Sequence, residues 1–280
     1  MTGIYKEKIF EKEIKDGERF SFGKNWKNFL SSLNEQRIQE AEKSLRIMLD
    51  VEDLNGKSFV DIGCGSGLFS LAAKRLGATV HSFDYDENSV NCAKFLKKNY
   101  FPDDKNWKIE CGSALDEQYL QSLGQFDFVY SWGVLHHTGQ MWNALDAIYR
   151  LTKNNGKLFI AIYNDQGRNS KLWLKIKKMY CTAPSPVKKL ILALCMIRLW
   201  GPRTVIDTLK GNPVKTWNEY KKHRGMNPYY DVVDWVGGYP FEVAKPEEIF
   251  EFCKDKGFQL DKLRTCAGGI GCNEFVFVKR

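Results

Sequence analysis

The stretch Ser58 to Gly67, Ser-Phe-Val-Asp-Ile-Gly-Cys-Gly-Ser-Gly, constrains this chain more than any other. A short β-prone run, Phe59-Val60-Asp61-Ile62, is followed by glycines at 63, 65 and 67, and a helical pattern starts at Leu68. The order predicts strand, tight turn, helix. Glycine tolerates positive φ and lets the backbone approach a ligand closely, while the free amides of the next helix donate to a polar or anionic group. A nucleotide-like ligand suits such a turn. The spacing is Gly-x-Gly-x-Gly, with Leu68 where a dinucleotide fingerprint would carry its third glycine.

Downstream the pattern alternates: helix Leu68 to Leu76, strand Thr79 to Phe83, helix Glu87 to Asn99, strand Trp107 to Cys111, and a short helix from Asp116 to Leu123. Strand Phe126 to Ser131, helix Met141 to Leu151 and strand Lys157 to Tyr163 follow. Such alternation predicts a doubly wound parallel sheet with ligands at the C-terminal strand edges. The second strand ends in Asp84, 21 residues after Gly63, where a carboxylate can hold both hydroxyls of a ribose. Asp86 is the better candidate to cap the following helix. The fourth strand runs into Ser131-Trp132-Gly133-Val134-Leu135-His136-His137-Thr138, and imidazole can take a proton near neutral pH.

The segment Val60-Asp61-Ile62-Gly63-Cys64-Gly65-Ser66-Gly67 resembles motif I of the class I S-adenosylmethionine (SAM) methyltransferases, and Leu135-His136-His137 resembles their segment after strand four. The resemblance covers about residues 57–164 and 245–280. It implies an α/β, doubly wound, seven-stranded Rossmann-like sheet, with SAM as cofactor, S-adenosylhomocysteine as product and no metal. Cofactor contacts carried over are Asp61, Gly63, Cys64, Gly65 and Gly67, then Asp84 and Tyr85, Ser113 and Ala114, and Ser131. The family often has an acid near Ser113 to bind the adenine amino group, and this chain has serine there. His137 is the expected general base, with His136 beside it to orient the loop. Tyr163 and Asn164, ending strand five, are expected to meet the acceptor.

After strand five the family pattern calls for one helix and two strands. These return only at Pro246 to Gly257, Gln259 to Cys266 and Glu274 to Lys279, so residues 165–244 form a mainly helical cap, the expected substrate domain. Before the core, residues 1–56 comprise an arm and a helix from Asn34; Phe20-Ser21-Phe22-Gly23-Lys24-Asn25-Trp26 is too aromatic for a linker. That arm is either packed on the core or a lid that brings Trp26 to the substrate.

Charge sits in the insertion. From Arg168 to Arg224 there are 14 Lys or Arg against two acids, a net charge of +12 that leaves −4 for the rest. A basic cap points to a small anionic acceptor, with Arg168, Lys171 and Arg224 its first contacts, unless the lysines only solvate helix faces. The run Leu190 to Ile197 is apolar without interruption for eight residues, too short to span a bilayer. It reads as a buried cap helix first and as an interfacial helix in peripheral contact with membrane second. No nucleic-acid module accompanies the charge.

Eight cysteines lie scattered without a Cys-x-x-Cys pair, and Met1 to Glu7 has no apolar signal core, so no disulfide scaffold, no metal and a cytoplasmic site are expected. The resemblance reaches two groups. One modifies bacterial surface polysaccharides and capsule, with phosphorylated, phosphoramidate or nucleotide-sugar acceptors; the long basic insertion favours it. The other comprises the O-methyltransferases of polyprenyl benzoquinol synthesis. A non-catalytic SAM-binding regulatory module is the alternative of another class.

Overall fold

The computed structural model describes residues 3–23, 30, 33–224 and 228–280, and the side chains of residues 3–8 and 221–224 are not among those described. Trp26 therefore lies outside the described residues. The chain opens with α1 (Gly3–Lys15) and α2 (Glu35–Leu49), then alternates: β1 (Ser58–Ile62), α3 (Leu68–Arg75), β2 (Thr79–Asp84), α4 (Glu87–Tyr100), β3 (Trp107–Cys111), α5 (Glu117–Leu123), β4 (Phe126–Trp132), α6 (Met141–Ile148) and β5 (Thr152–Tyr163). Next come four consecutive helices, α7 (Arg168–Thr182), α8 (Ser185–Leu209), α9 (Lys215–Arg224) and α10 (Pro228–Gly237). The chain then returns through α11 (Pro246–Asp255), β6 (Phe258–Arg264) and β7 (Cys272–Lys279).

The seven strands form one sheet in the order β3-β2-β1-β4-β5-β7-β6. The first five pair in parallel, and β7 enters antiparallel between β5 and β6. Chain order reverses between β1 and β4, so the loops after these strands frame a crevice, where open α/β sheets bind ligands. Alternation along β1 divides the core. Val60 and Ile62 pack under α6 and α11 with Leu145, Ile148 and Ile249, while Phe59 faces α2 and α3 with Leu45 and Leu71.

Asn34 caps α2 by accepting from the Arg37 amide, and Ile38, Ala41, Leu45, Met48 and Leu49 are all buried, as helical spacing predicts. Strand five begins five residues earlier than expected. Its pairing with β4 slips between Phe126 and Phe128, and Asn155 has φ of 60°, so polar residues 153–156 are taken up as an irregularity that apolar patterning cannot announce.

The insertion has its own core: Trp173, Ile191, Leu192, Cys195, Trp200, Val232, Val236 and Phe241. The expectation of a buried cap helix over residues 190–197 needs correction. α8 runs for 25 residues and buries only the side bearing Ile191, Leu192, Cys195 and Trp200. On its outer side Leu190, Leu194 and Ile197 are 60%, 58% and 68% exposed.

These positions separate two kinds of apolar residue. Leu45→Ala should cost about 2–5 kcal/mol in a urea melt, since it removes buried methyls beneath β1. Leu190→Ala should stay within about 0.5 kcal/mol of the parent.

Candidate active site

A cleft of about 1580 Å³ opens along the C-terminal ends of β1, β2 and β4. Its floor is the glycine loop. Gly63 and Gly67 have φ of 72° and 81°, and a Cβ would stand 2.3 Å from Val134 at the first and 2.7 Å from the Ala93 backbone at the second. Only glycine lets this loop lie so close to the β4 loop and to α4.

Two carboxylates hold the loop. Asp84 accepts the Gly65 amide on one oxygen and the Asp86 amide on the other, each at 2.9 Å. A carboxylate has about four lone-pair sites, and the Tyr85 amide also approaches Asp84, so only part of its accepting capacity is left for a diol in the cleft. Asp61 is 2% exposed and accepts the Ser70 hydroxyl at 2.5 Å. Burial pushes Asp61 up to about 7, against the Ser70 hydrogen bond and helped by Asp84. Burial likewise lifts Asp84 to about 6, opposed by the amides of Asp86 and Gly65. Both carboxylates are therefore poised for a cationic ligand.

Tyr85, Cys64, Ser113 and Ala114 also line this half, but Ser131 does not: it is fully buried and donates to the Ile62 carbonyl at 3.1 Å. Its place on β4 points it into the sheet's own packing. Asp116 and Leu115, unforeseen in the sequence, lie beside Ser113 in the wall. An acid thus stands three residues beyond the position where the family pattern suggested one.

The N-terminal arm closes the near side. Phe10 meets Tyr85 edge-on at 5.3 Å, Arg19 donates to the His137 carbonyl at 2.9 Å, and Gly23 donates to Asp86 at 2.9 Å. Phe10, Arg19, Phe20 and Phe22 all line the cleft. An aromatic arm was foreseen; Phe10 and Arg19 were not, because a mixed Lys/Glu stretch gives them no local signature.

The two histidines separate. His136 is fully buried, lies tilted against Tyr163 at 3.8 Å and accepts the Tyr163 amide at 3.3 Å, so it does not line the cleft where it was expected beside His137. His137 lines the cleft, with its Nδ1 2.7 Å from the Pro240 carbonyl, an acceptor that makes Nδ1–H the donor. Burial, then Lys177, drive its pKa down to about 3. A group that holds a proton so weakly is a poor base at neutral pH. The hydrogen bond gives it another task, which is to pin the segment leading out of α10.

Tyr163 lines the cleft as expected. Asn164 is a correction: it bridges backbone to Ala244 and accepts from Asn273 at 3.0 Å, stitching the insertion's exit to β7 outside the cleft. Arg168 and Lys171 are exposed at the start of α7 and do not line it either. Arg224 ends α9, and its side chain is not among those described. Instead the insertion sends in Trp200, Arg203, Tyr220, Asp231, Asp234 and Trp235. Among the described residues, Arg203 is the one Lys or Arg of the insertion that does so. Apart from the buried Lys177, most described basic residues of the insertion are exposed, because α8, α7 and α10 use their apolar sides to build the core between them.

A methyltransferase-domain family matches residues 60–160. The ubiquinone biosynthesis O-methyltransferases of Pseudomonas aeruginosa and Pelagibacter ubique are each 32% identical, over 128 and 123 residues, covering 43% and 44% of this chain and 49% and 48% of theirs. The chain thus spans about half the length of the curated relatives it matches. The fold is similar to magnesium protoporphyrin IX methyltransferase from Synechocystis PCC 6803 with bound SAH, at TM-score 0.51, 15% identity, 87% of this chain and 83% of that one. It is also similar to PKMT2 from Rickettsia typhi in complex with AdoHcy, at TM-score 0.53, 14% identity, 89% and 55%. These matches place a methyltransferase domain over residues 60–160, and the sheet order and glycine loop give it the Rossmann-like fold of the solved methyltransferases.

The cleft fits SAM on its own chemistry. Gly133 has φ of 74° and nothing within 4 Å of where a Cβ would stand, leaving open room at the mouth of β4, and the two lifted carboxylates suit a cation. In the free protein Asp61 holds its proton at pH 6 and a cationic ligand favours the ionised form, so binding should expel about one proton. SAM affinity should rise from about pH 5 to 7 and level off above. Titration calorimetry in buffers of different ionisation enthalpy checks this, and buffer-independent heats at pH 6 would refute it. By the same sign, Asp61 favours the folded free protein at low pH and that contribution fades as pH rises through about 7.

Proposed function

We propose that the protein transfers the methyl group of SAM to a hydroxyl of a small, planar, aromatic acceptor held between the sheet edge and the insertion. The reading is supported above all by the acceptor end of the cleft, where Trp132, Tyr163, Trp200, Tyr220 and Trp235 supply aromatic walls. The benzoquinol reading of the sequence is the one this composition favours, and the partial relatives named above point the same way. In this proposal the four-helix insertion is the acceptor domain and the N-terminal arm a lid.

The glycine loop and Asp84 would hold the cofactor by its backbone-facing and diol groups, with Tyr85 and Phe10 along its flat base. SAM supplies the electrophilic methyl on a sulfonium. The protein's part is alignment of the acceptor oxygen, exclusion of water by the arm, and a destination for the hydroxyl proton. Asp231 and Asp234, on the α10 face toward the cleft, are the assigned proton acceptors, and His137 positions α10 through Pro240. A second reading, an acceptor with one anionic group in surface-polysaccharide modification, rests on Arg203 at the cleft.

Homocysteine release with demethyl-quinols set against phosphorylated sugars, nucleotide-sugars and phosphoramidates decides between the two readings. The aromatic acceptors should turn over, and SAM binding without transfer to any acceptor would instead support a regulatory module. Asp84→Ala should weaken SAM at least about tenfold through loss of the diol contact. His137→Gln, which keeps a donor toward Pro240, should retain most of kcat while His137→Phe loses it. Equal losses in both, with a pH–rate limb that vanishes, would restore His137 as the base.

A further inference from the structure

We infer that the outer face of α8 is a docking surface for an anionic lipid membrane. Val187, Leu190, Leu194, Ile197 and Val205 recur at intervals of three, four, three and eight residues, which places them along one side of the helix. All are at least 39% exposed, and Ile197 reaches 68%. Nothing among the described residues covers them, because the helix already spends its opposite side on the insertion's core. A shallow apolar groove of about 510 Å³, lined by Ile197, Val205, Leu209 and Trp217, continues the surface toward α9.

Charge selects the occupant. The segment 168–224 carries +12, and on α8 itself Lys189 and Arg198 are exposed beside the stripe. A second copy docking through the same face would set +12 against +12, which opposes a symmetric dimer. Nucleic acid would match the charge and leave the leucines in water. A bilayer with anionic headgroups satisfies both, taking the aliphatic side chains into its interface and the basic groups at its surface. Among the described residues no helix is long and apolar enough to cross a membrane, so the contact is one of lying on the surface. Trp200 lines both the groove and the cleft, so the docked face adjoins the acceptor end. The inference does not depend on which acceptor is methylated.

Co-sedimentation of the full chain with sucrose-loaded vesicles tests it, using phosphatidylcholine alone and phosphatidylcholine with phosphatidylglycerol. Binding should be at least about tenfold tighter to the phosphatidylglycerol vesicles and should weaken with added salt. The triple variant Leu190→Ser, Leu194→Ser, Ile197→Ser should bind at least about tenfold more weakly while keeping SAM binding as its mark of folding. Should that variant unfold, Lys189→Gln with Arg198→Gln gives an independent reading, since it should abolish the preference for phosphatidylglycerol. The inference is overturned if no vesicle binds the parent, or if either folded variant binds as the parent does. It is equally overturned if sedimentation velocity finds a parent dimer that the triple variant dissolves.

Discussion

A buried chain of hydrogen bonds ending on Asp61 sets the geometry on which the cleft depends. The Trp107 indole donates to Ser82 at 2.9 Å, Ser82 to Ser70 at 2.7 Å, and Ser70 to Asp61 at 2.5 Å. Four elements, β3, β2, α3 and β1, are thereby joined through side chains that have no water to turn to. Because Ser70 lies in α3 and Asp61 near the end of β1, the bond fixes the angle at which the helix leaves the strand. The glycine loop between them inherits that angle, and so does every donor it presents. The same burial that makes the chain strong lifts Asp61 toward neutrality, so the residue that anchors the loop is also one whose charge is held back.

A second buried polar residue organises the other half. Lys177 is fully buried in α7, donates to the Trp235 carbonyl at the end of α10, and lies 4.2 Å and 4.6 Å from the ring centroids of Trp235 and Phe241. Burial lowers it to about 7. A cation at the C-terminal end of a helix, faced by aromatic rings, is favourably placed on both counts. It ties α7 to α10, the helix that carries Asp231, Asp234 and Trp235, and it helps keep His137 neutral. The insertion's end of the cleft is thus held by a buried lysine and a neutral histidine, and the glycine-loop end by a buried carboxylate.

The surface of the insertion follows from the same economy. A helix has one side to give to a core, and α7, α8 and α10 give theirs to one another. Lys177 apart, most described basic residues of these helices face outward, together with the exposed leucines of α8. The cleft consequently receives aromatic groups, carboxylates and Arg203, while among the described residues the other lysines and arginines of the segment do not line it.

The sequence by itself determined the order of the parallel strands and the place of the glycine loop. Strand, glycine turn and helix are local patterns, and Gly63, Asp84 and Tyr85 stand where a strand end must put them. Period-two and period-3.6 patterning fix which side of β1 and α2 is buried, with no knowledge of the partner. Tertiary structure decided the rest. Which of two adjacent histidines meets the cleft depends on Tyr163 and Pro240, 27 and 103 residues away. Whether a lysine or arginine of the insertion reaches the cleft depends on how four helices share one core, and this left Arg168 and Lys171 outside and brought Arg203 in. Net charge adds over a segment whatever its fold, whereas its direction is settled only when the helices choose their neighbours.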